Sequence, residues 1–342
     1  MTQTITLMAS LYQRLEEMGF NEQFIRYYAL PQWWDSEVES EPEAFLEAAA
    51  YISRRLNLDV RSLLNTDSQP VFKQGCQSFF KTKPGTQREQ LIIAECLAQR
   101  VGEMVAYACV PPLKPLPNNA QGIRSEILQT NDYVSLEGLV TWCWQQGLPV
   151  VYFDGFPMTK EVHQFHGMIA YCDERPVIII SLKDSSTARL LLILAHELGH
   201  LIKGHLQEGA LVDEEVNLEN LDPEEIEANE FAVELLLGKP ALFEPTSPYF
   251  TGEQLAGYAQ SISQRAQVAP GVVALNYAYG TAKMAKTEPE KALILATANQ
   301  ALKLIEGETN AARLINYYLA KNLDLDRLDE DSQAYLELII GG

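Results

Sequence analysis

The residues of this 342-residue chain whose types and spacing could do chemistry lie in one stretch, "LILAHELGHLIKGHL" (192–206), which holds His196, Glu197 and His200. On an α-helix, residues four apart stand nearly one above the other, so His196 and His200 can aim both imidazoles at one ion. The short metal–nitrogen distance of zinc suits such a pair. Glu197 is turned about 100° around the helix from His196, so it is poorly placed to join both histidines as a ligand. It can lean over the ion and take a proton from a water whose pKa the metal lowers from about 16 to about 7. This is the chemistry that His-Glu-x-x-His spacing serves in metal-assisted peptide hydrolysis. Gly199 is a poor helix former, and a metal site or close packing explains it better than a purely structural helix, which would gain from Ala. All five histidines (His163, His166, His196, His200 and His205) fall in the same part of the chain.

Two histidines and a water leave one ligand to find. A metzincin places Gly three residues and His six residues after the second histidine. Here those positions are Lys203 and Leu206, which excludes that class. His205, five residues after His200, points to one side on helical spacing, and is expected at the surface or in support of a ligand. A carboxylate from a following helix is the other solution, and "DPEEIEANEFA" offers Glu224, Glu225, Glu227 and Glu230. Glu225 and Asn229 share one helical face, so Glu225 can bind the metal while Asn229 supports a ligand histidine. The competing role for Glu225 is a capping box, with Asp222 as N-cap and Pro223 as the first helical residue. Glu227 is the fallback ligand and otherwise makes a surface or supporting contact. For the oxyanion of a tetrahedral intermediate, His166, Tyr171 and His205 are the candidate donors. Zinc is the default ion for two histidines and a carboxylate, with manganese the alternative.

These side chains need a helix and a platform. "DSSTARLLLILAHELGHLIKGHL" supplies a long apolar face, with Asp184 or Ser185 as the expected N-cap. Before it, "LPVVYF" reads as a strand and "HGMIAYCDERPVIIISL" as a β-hairpin turning at Asp173-Glu174-Arg175-Pro176. The acidic "QEGALVDEEVNLENLDP" is expected to be a loop, leading to the helix "EEIEANEFAVELLLG" with Gly238 and Pro240 as stop signals. Upstream, "EAFLEAAAYISRRLNL" places Phe45, Leu46, Ala49, Ile52, Ser53 and Leu56 on one helical stripe. Trp33 and Trp34 read as paired aromatic plugs of a small helical core, with partner binding as the alternative. "KTKPGTQ" is a loop before the long helix "REQLIIAECLAQRVGEMVAYAC". The expected architecture is α+β and mostly helical: an all-α region (1–110), a Pro-rich connector (111–133), a zincin-like domain with a small sheet (134–245) and a helical C-terminal region (246–342).

Composition bounds the function. A net charge of −20, from 46 acids and 26 bases, repels phosphate backbones, so direct DNA binding is not expected. The five scattered cysteines lack a C-x-x-C and argue against a disulfide framework or a cysteine zinc cluster, which favours a reducing cytoplasm. The first residues lack the pattern of a signal peptide, and the apolar run Leu190–Ala195 is far too short to span a membrane.

Together, "LAHELGHLI" and "EIEANEFAVELLLG" resemble the ImmA/IrrE family of metallopeptidases. That family joins a His-Glu-x-x-His helix to a later helix reading roughly Glu-x-x-Ala-Asn-x-Phe-Ala. The hairpin before the motif and "SQRAQVAPGVVALNYAY" after it are also similar to family segments, so the likeness runs from about Val134 to Tyr279. The family often has a proline soon after the leucines, and here "LLLGKP" delays it. The resemblance implies metal ligation by His196, His200 and Glu225, with Glu197 as the base. It also implies a cytoplasmic regulatory endopeptidase acting on a helix-turn-helix transcriptional repressor, relieving repression under stress or in mobile elements. The competing functions are a metal-stabilised binding protein that sequesters a regulator without cutting it and, against the charge, a DNA-binding factor using the N-terminal helices.

Overall fold

The computed structural model describes residues 6–41, 43–73, 88–159, 162, 164–206, 209–213, 222–239 and 250–341. His163, Cys76, Pro240 and the expected loop at 81–87 lie outside them. Helices α1 (Leu7–Glu17), α2 (Glu22–Phe24), α3 (Ala44–Arg55) and α4 (Val60–Leu64) precede the long α5 (Arg88–Ala108), α6 (Ala120–Ile127) and α7 (Leu136–Gln145). On α3 the inner face is Ala44, Phe45, Ala48, Ala49 and Ile52. Leu46, expected on that stripe, is instead 57% exposed, because neighbours on a helix diverge by about 100° and Phe45 takes the inward place. The tryptophan pair also divides. Trp34 is buried and donates its indole N–H to Glu39, whereas Trp33 is exposed and lies edge-on to Tyr51.

The sheet has the order β1-β3-β2-β4. The short β1 (Val150–Tyr152) runs parallel to β3 (Arg175–Ile180), and β2 (Gly167–Cys172) is antiparallel to it. The hairpin is tighter than expected: Arg175 and Pro176 are already in β3, leaving Asp173 (φ +55°) and Glu174 as a two-residue turn. Part of the acidic segment expected as a loop forms the edge strand β4 (Ala210–Asp213), antiparallel to β2. Its alternation is too short to be read locally; pairing to β2 defines it.

The motif lies on α8 (Thr187–Lys203). Its N-cap is Ser186, one residue beyond the expected pair, whose hydroxyl accepts from Arg189 N–H while Asp184 accepts from Ser186 N–H. After β4, α9 (Pro223–Leu237) packs along α8, and α10 (Gly252–Ala266), α11 (Pro270–Ala282), α12 (Glu288–Glu306), α13 (Ala311–Asn322) and α14 (Glu330–Gly341) complete the chain. This is the α+β, mostly helical architecture expected.

The sheet is covered on both faces. A Cβ on Gly102 of α5 would meet Cys172, Ile179 and Ala170, whereas one on Gly167 would meet Glu197 of α8. Gly167 and Ala170 are an odd number of positions apart in β2, so they face opposite sides and α5 and α8 sandwich the sheet. Segments beyond the motif region also tie into it. The side chain of Asn316 on α13 accepts from Tyr152 N–H and donates to Tyr152 C=O, completing the open edge of β1. Glu306 accepts from Thr187 Oγ1 and Ala188 N–H at the start of α8, where free N–H groups and the helix dipole favour a carboxylate. The segment expected as a Pro-rich connector contains α6, whose Arg124 donates to the C=O groups of Leu235 and Leu236 at the end of α9 and to Gln267.

Among the described residues, Cys109, Cys143 and Cys172 are free thiols. No helix among the described residues is long and apolar enough to cross a membrane.

Gly199 sits where α8 meets α9: a Cβ there would lie 2.9 Å from Ala228 O and 3.0 Å from Ala228 Cα. Backbone atoms cannot swing aside as a side-chain tip can, so Gly199→Ala must move the helices apart. The expected cost is about 1–3 kcal/mol of stability, as for other overpacked cores, measured by urea denaturation. Metal affinity should fall in the same variant, because Glu225 moves away with α9.

Candidate metal centre

His196, Glu197 and His200 are fully buried on α8. The two Nε2 atoms converge to 3.0 Å. Opposite them α9 presents Glu225, whose oxygens lie 3.7 Å from His196 Nε2 and 3.5 Å from His200 Nε2. One donor atom from each of the three lies within 4.8 Å of the others, so the group could hold a metal ion. Tetrahedral zinc with ligand bonds of about 2.0–2.1 Å holds its ligand atoms about 3.3 Å apart. The histidine nitrogens are 3.0 Å apart, and different oxygens of Glu225 stand 3.5 Å and 3.7 Å from them, so with small adjustments of the carboxylate the side chains fit such an ion.

The local structure explains the arrangement. Asp222 caps α9 by accepting from Glu224 N–H, Pro223 begins the helix without an N–H to satisfy, and Glu225 turns inward. One turn later, Asn229 Oδ1 lies 3.0 Å from His196 Nδ1. An amide oxygen can only accept, so the proton is on Nδ1 and the Nε2 lone pair is left for a metal. His205, expected off to one side, lies with Nδ1 2.8 Å from His200 Nδ1 and Nε2 3.0 Å from the carboxylate of Glu227. That contact holds the Glu227 carboxyl below the usual carboxylate range. Glu227 is mostly exposed and is not brought to the shared point of the ligand atoms.

Glu197 fills the gap between α8 and the sheet. A Cβ on Gly167 would stand 2.0 Å from Glu197 Oε1, so only glycine leaves room for this carboxylate in its present position. Sequence reasoning missed Gly167; a glycine opening a strand directly after a histidine was the available signal. His166 and Tyr279 line a cavity of about 210 Å³ with Leu192 and Ile193, one turn before the motif histidines on α8. Tyr279 was also missed, although it ends the helical segment noted for its resemblance. Tyr171 is not brought to this region. It lies near the hairpin end of β2, four residues from Gly167, and lines a different cavity with Arg175 and Arg327. At about 3.4 Å per residue it is some 13 Å along the strand from the Glu197 contact.

Residues 143–276 match the family model of the IrrE N-terminal-like domain, Peptidase_M78. This part of the chain is similar to the IrrE N-terminal-like domain, which supports the ImmA/IrrE assignment. It runs from the end of α7 into α11 and holds His196, Glu197, His200, Glu225 and Asn229, in less than half of the chain. No curated protein and no solved structure matches. The match suggests a metallopeptidase-type function, and the matched family is metal-dependent.

Within the IrrE-like domain, Gly167 borders Glu197 and none of the three grouped side chains that could hold an ion. Gly167→Ala should displace the Glu197 carboxylate while leaving His196, His200 and Glu225 in place. The expected result is near-normal metal content by mass spectrometry, with hydrolysis reduced by about 10²–10⁴-fold, the range for a lost general base.

Proposed function

We propose that the chain is a zinc-dependent endopeptidase of regulatory type, with His196, His200 and Glu225 holding the ion and Glu197 serving as general base. The observation that carries this reading is the convergence of the two histidine Nε2 atoms and the Glu225 carboxylate beside the buried Glu197. A divalent cation bound by that set supplies Lewis acidity; two nitrogens and a carboxylate suit zinc, with manganese the alternative. Glu197 takes the proton of the attacking water and passes it to the leaving amine. Asn229 fixes the ring of His196 through Nδ1. His166 and Tyr279, on the cavity next to the motif, are the side chains we assign to the carbonyl oxygen of the substrate.

The substrate we assign is a protein regulator, and a helix-turn-helix transcriptional repressor is the class implied by the resemblance to ImmA/IrrE proteins. The net charge of −20 supports a basic partner of that kind over nucleic acid itself. A cytoplasmic setting and a role in stress-responsive transcription accompany that assignment. A second reading, a metal-stabilised protein that sequesters a regulator without cutting it, is favoured by the complete burial of His196, Glu197 and His200.

Two measurements decide between them. Purified wild type should carry about one zinc per chain by mass spectrometry, with Glu225→Ala losing it and Glu197→Gln keeping it. In cells, N-terminal peptide profiling should reveal a new protein N-terminus with wild type and none with Glu197→Gln. A zinc-loaded wild type that generates no new N-terminus yet retains a partner would establish the binding role instead.

A further inference from the structure

We infer that His205 and Glu227 form a hydrogen-bonded relay that fixes the tautomer of His200 and so holds it as a metal ligand. The inference rests on the metal-centre reading above and concerns the one histidine of the pair that Asn229 does not contact in the described bonds.

His200 Nε2 points at the same place as His196 Nε2, 3.0 Å away. For Nε2 to donate its lone pair to an ion, the ring proton must sit on Nδ1. That Nδ1 lies 2.8 Å from His205 Nδ1, so one of the two nitrogens donates and the other accepts. On the far side of its ring, His205 Nε2 lies 3.0 Å from Glu227 Oε2. An ionised carboxylate accepts only, so the proton of His205 is drawn to Nε2 and its Nδ1 is left as the acceptor. The bonds then run in one direction, from His200 Nδ1–H to His205 Nδ1 and from His205 Nε2–H to Glu227. Reversing His205 would set two N–H groups against each other and leave Glu227 without that donor.

The end of α8 is built for this contact. Gly204 adopts φ +74°, its N–H donates to Leu201 C=O, and the N–H of His205 donates to His200 C=O. This is the paired hydrogen bonding of a Schellman motif, which folds the residue after the glycine back over the last turn. His205 would stand well off the line of His200 on a continued helix; the left-handed glycine brings it back. Its side chain is only 6% exposed, whereas Glu227, coming from α9, is 56% exposed. The relay therefore also ties the end of α8 to the helix that carries Glu225. Both are positioning residues, acting through the ring of His200.

The test compares zinc dissociation constants, by chelator competition, for the full-length wild type, His205→Ala, His205→Gln, Glu227→Ala and Glu227→Gln. His205→Ala should weaken zinc binding by about 10–100-fold, the usual effect of removing the partner of a ligand histidine. His205→Gln, which keeps an acceptor for the His200 proton, should recover most of that loss. Glu227→Ala should give a smaller loss in the same direction, with Glu227→Gln between it and wild type. Imidazole ¹⁵N spectra of the metal-free proteins supply a readout that a merely structural role would not move. His200 should be predominantly Nδ1-protonated in wild type and lose that preference in His205→Ala, without a change in the melting temperature. Unchanged zinc affinity and an unchanged His200 tautomer in the exposed-site variants Glu227→Ala and Glu227→Gln, together with His205→Ala, would overturn the relay. A wild type that takes up neither zinc nor manganese would overturn the metal-centre reading instead, and the metal-free spectra would still decide the hydrogen-bond order.

Discussion

The candidate centre depends on how closely α9 can approach α8. Two histidines on one helix define only part of a coordination sphere, and the remaining carboxylate must come from a neighbour at contact distance. Gly199 permits that distance, because the backbone of Ala228 occupies the space that a Cβ would need. From the same close contact follow the placement of Glu225 opposite both Nε2 atoms, the reach of Asn229 to His196 and the reach of Glu227 to His205.

Burying this many ionisable groups together is costly unless each is hydrogen-bonded or bound to an ion. The outer ring nitrogens of both histidines are committed, to Asn229 on one and His205 on the other, and their inner nitrogens share one point with Glu225. Such a donor set suits a divalent cation, and binding one would contribute to folding as well as to chemistry. Gly167 plays a related part on the sheet side. By lacking a side chain it lets the Glu197 carboxylate lie against β2, within the same buried space.

The regions flanking the IrrE-like domain complete its frame. Helix α5 covers the face of the sheet opposite α8, Asn316 closes the edge of β1, Glu306 receives the free N–H groups at the start of α8, and Arg124 binds the carbonyls at the end of α9. These contacts satisfy backbone groups that a truncated domain would leave open at a strand edge and at helix ends, where unpaired groups are unfavourable once buried. Glu306 and Arg124 link elements more than a hundred residues away in sequence to α8 and α9.

The local sequence determined the parts whose physics is local. Helical spacing put His196 and His200 on one line, Asp222 and Pro223 announced the start of α9, Gly238 marked its end, and two apolar runs about a polar turn disclosed the hairpin. The same spacing grouped Glu225 with Asn229, because i and i+4 share a face whatever the helix packs against. Tertiary structure decided what depends on pairing across the fold. It made a strand of Ala210–Asp213, gave Gly167 its place before Glu197, placed Tyr171 at the far end of β2, and joined His205 to both His200 and Glu227. It also buried Trp34 while leaving its neighbour Trp33 exposed, and turned Leu46 outward. Periodicity reports which residues share a face, but which face is covered, and by what, is set by elements distant in sequence and close in space.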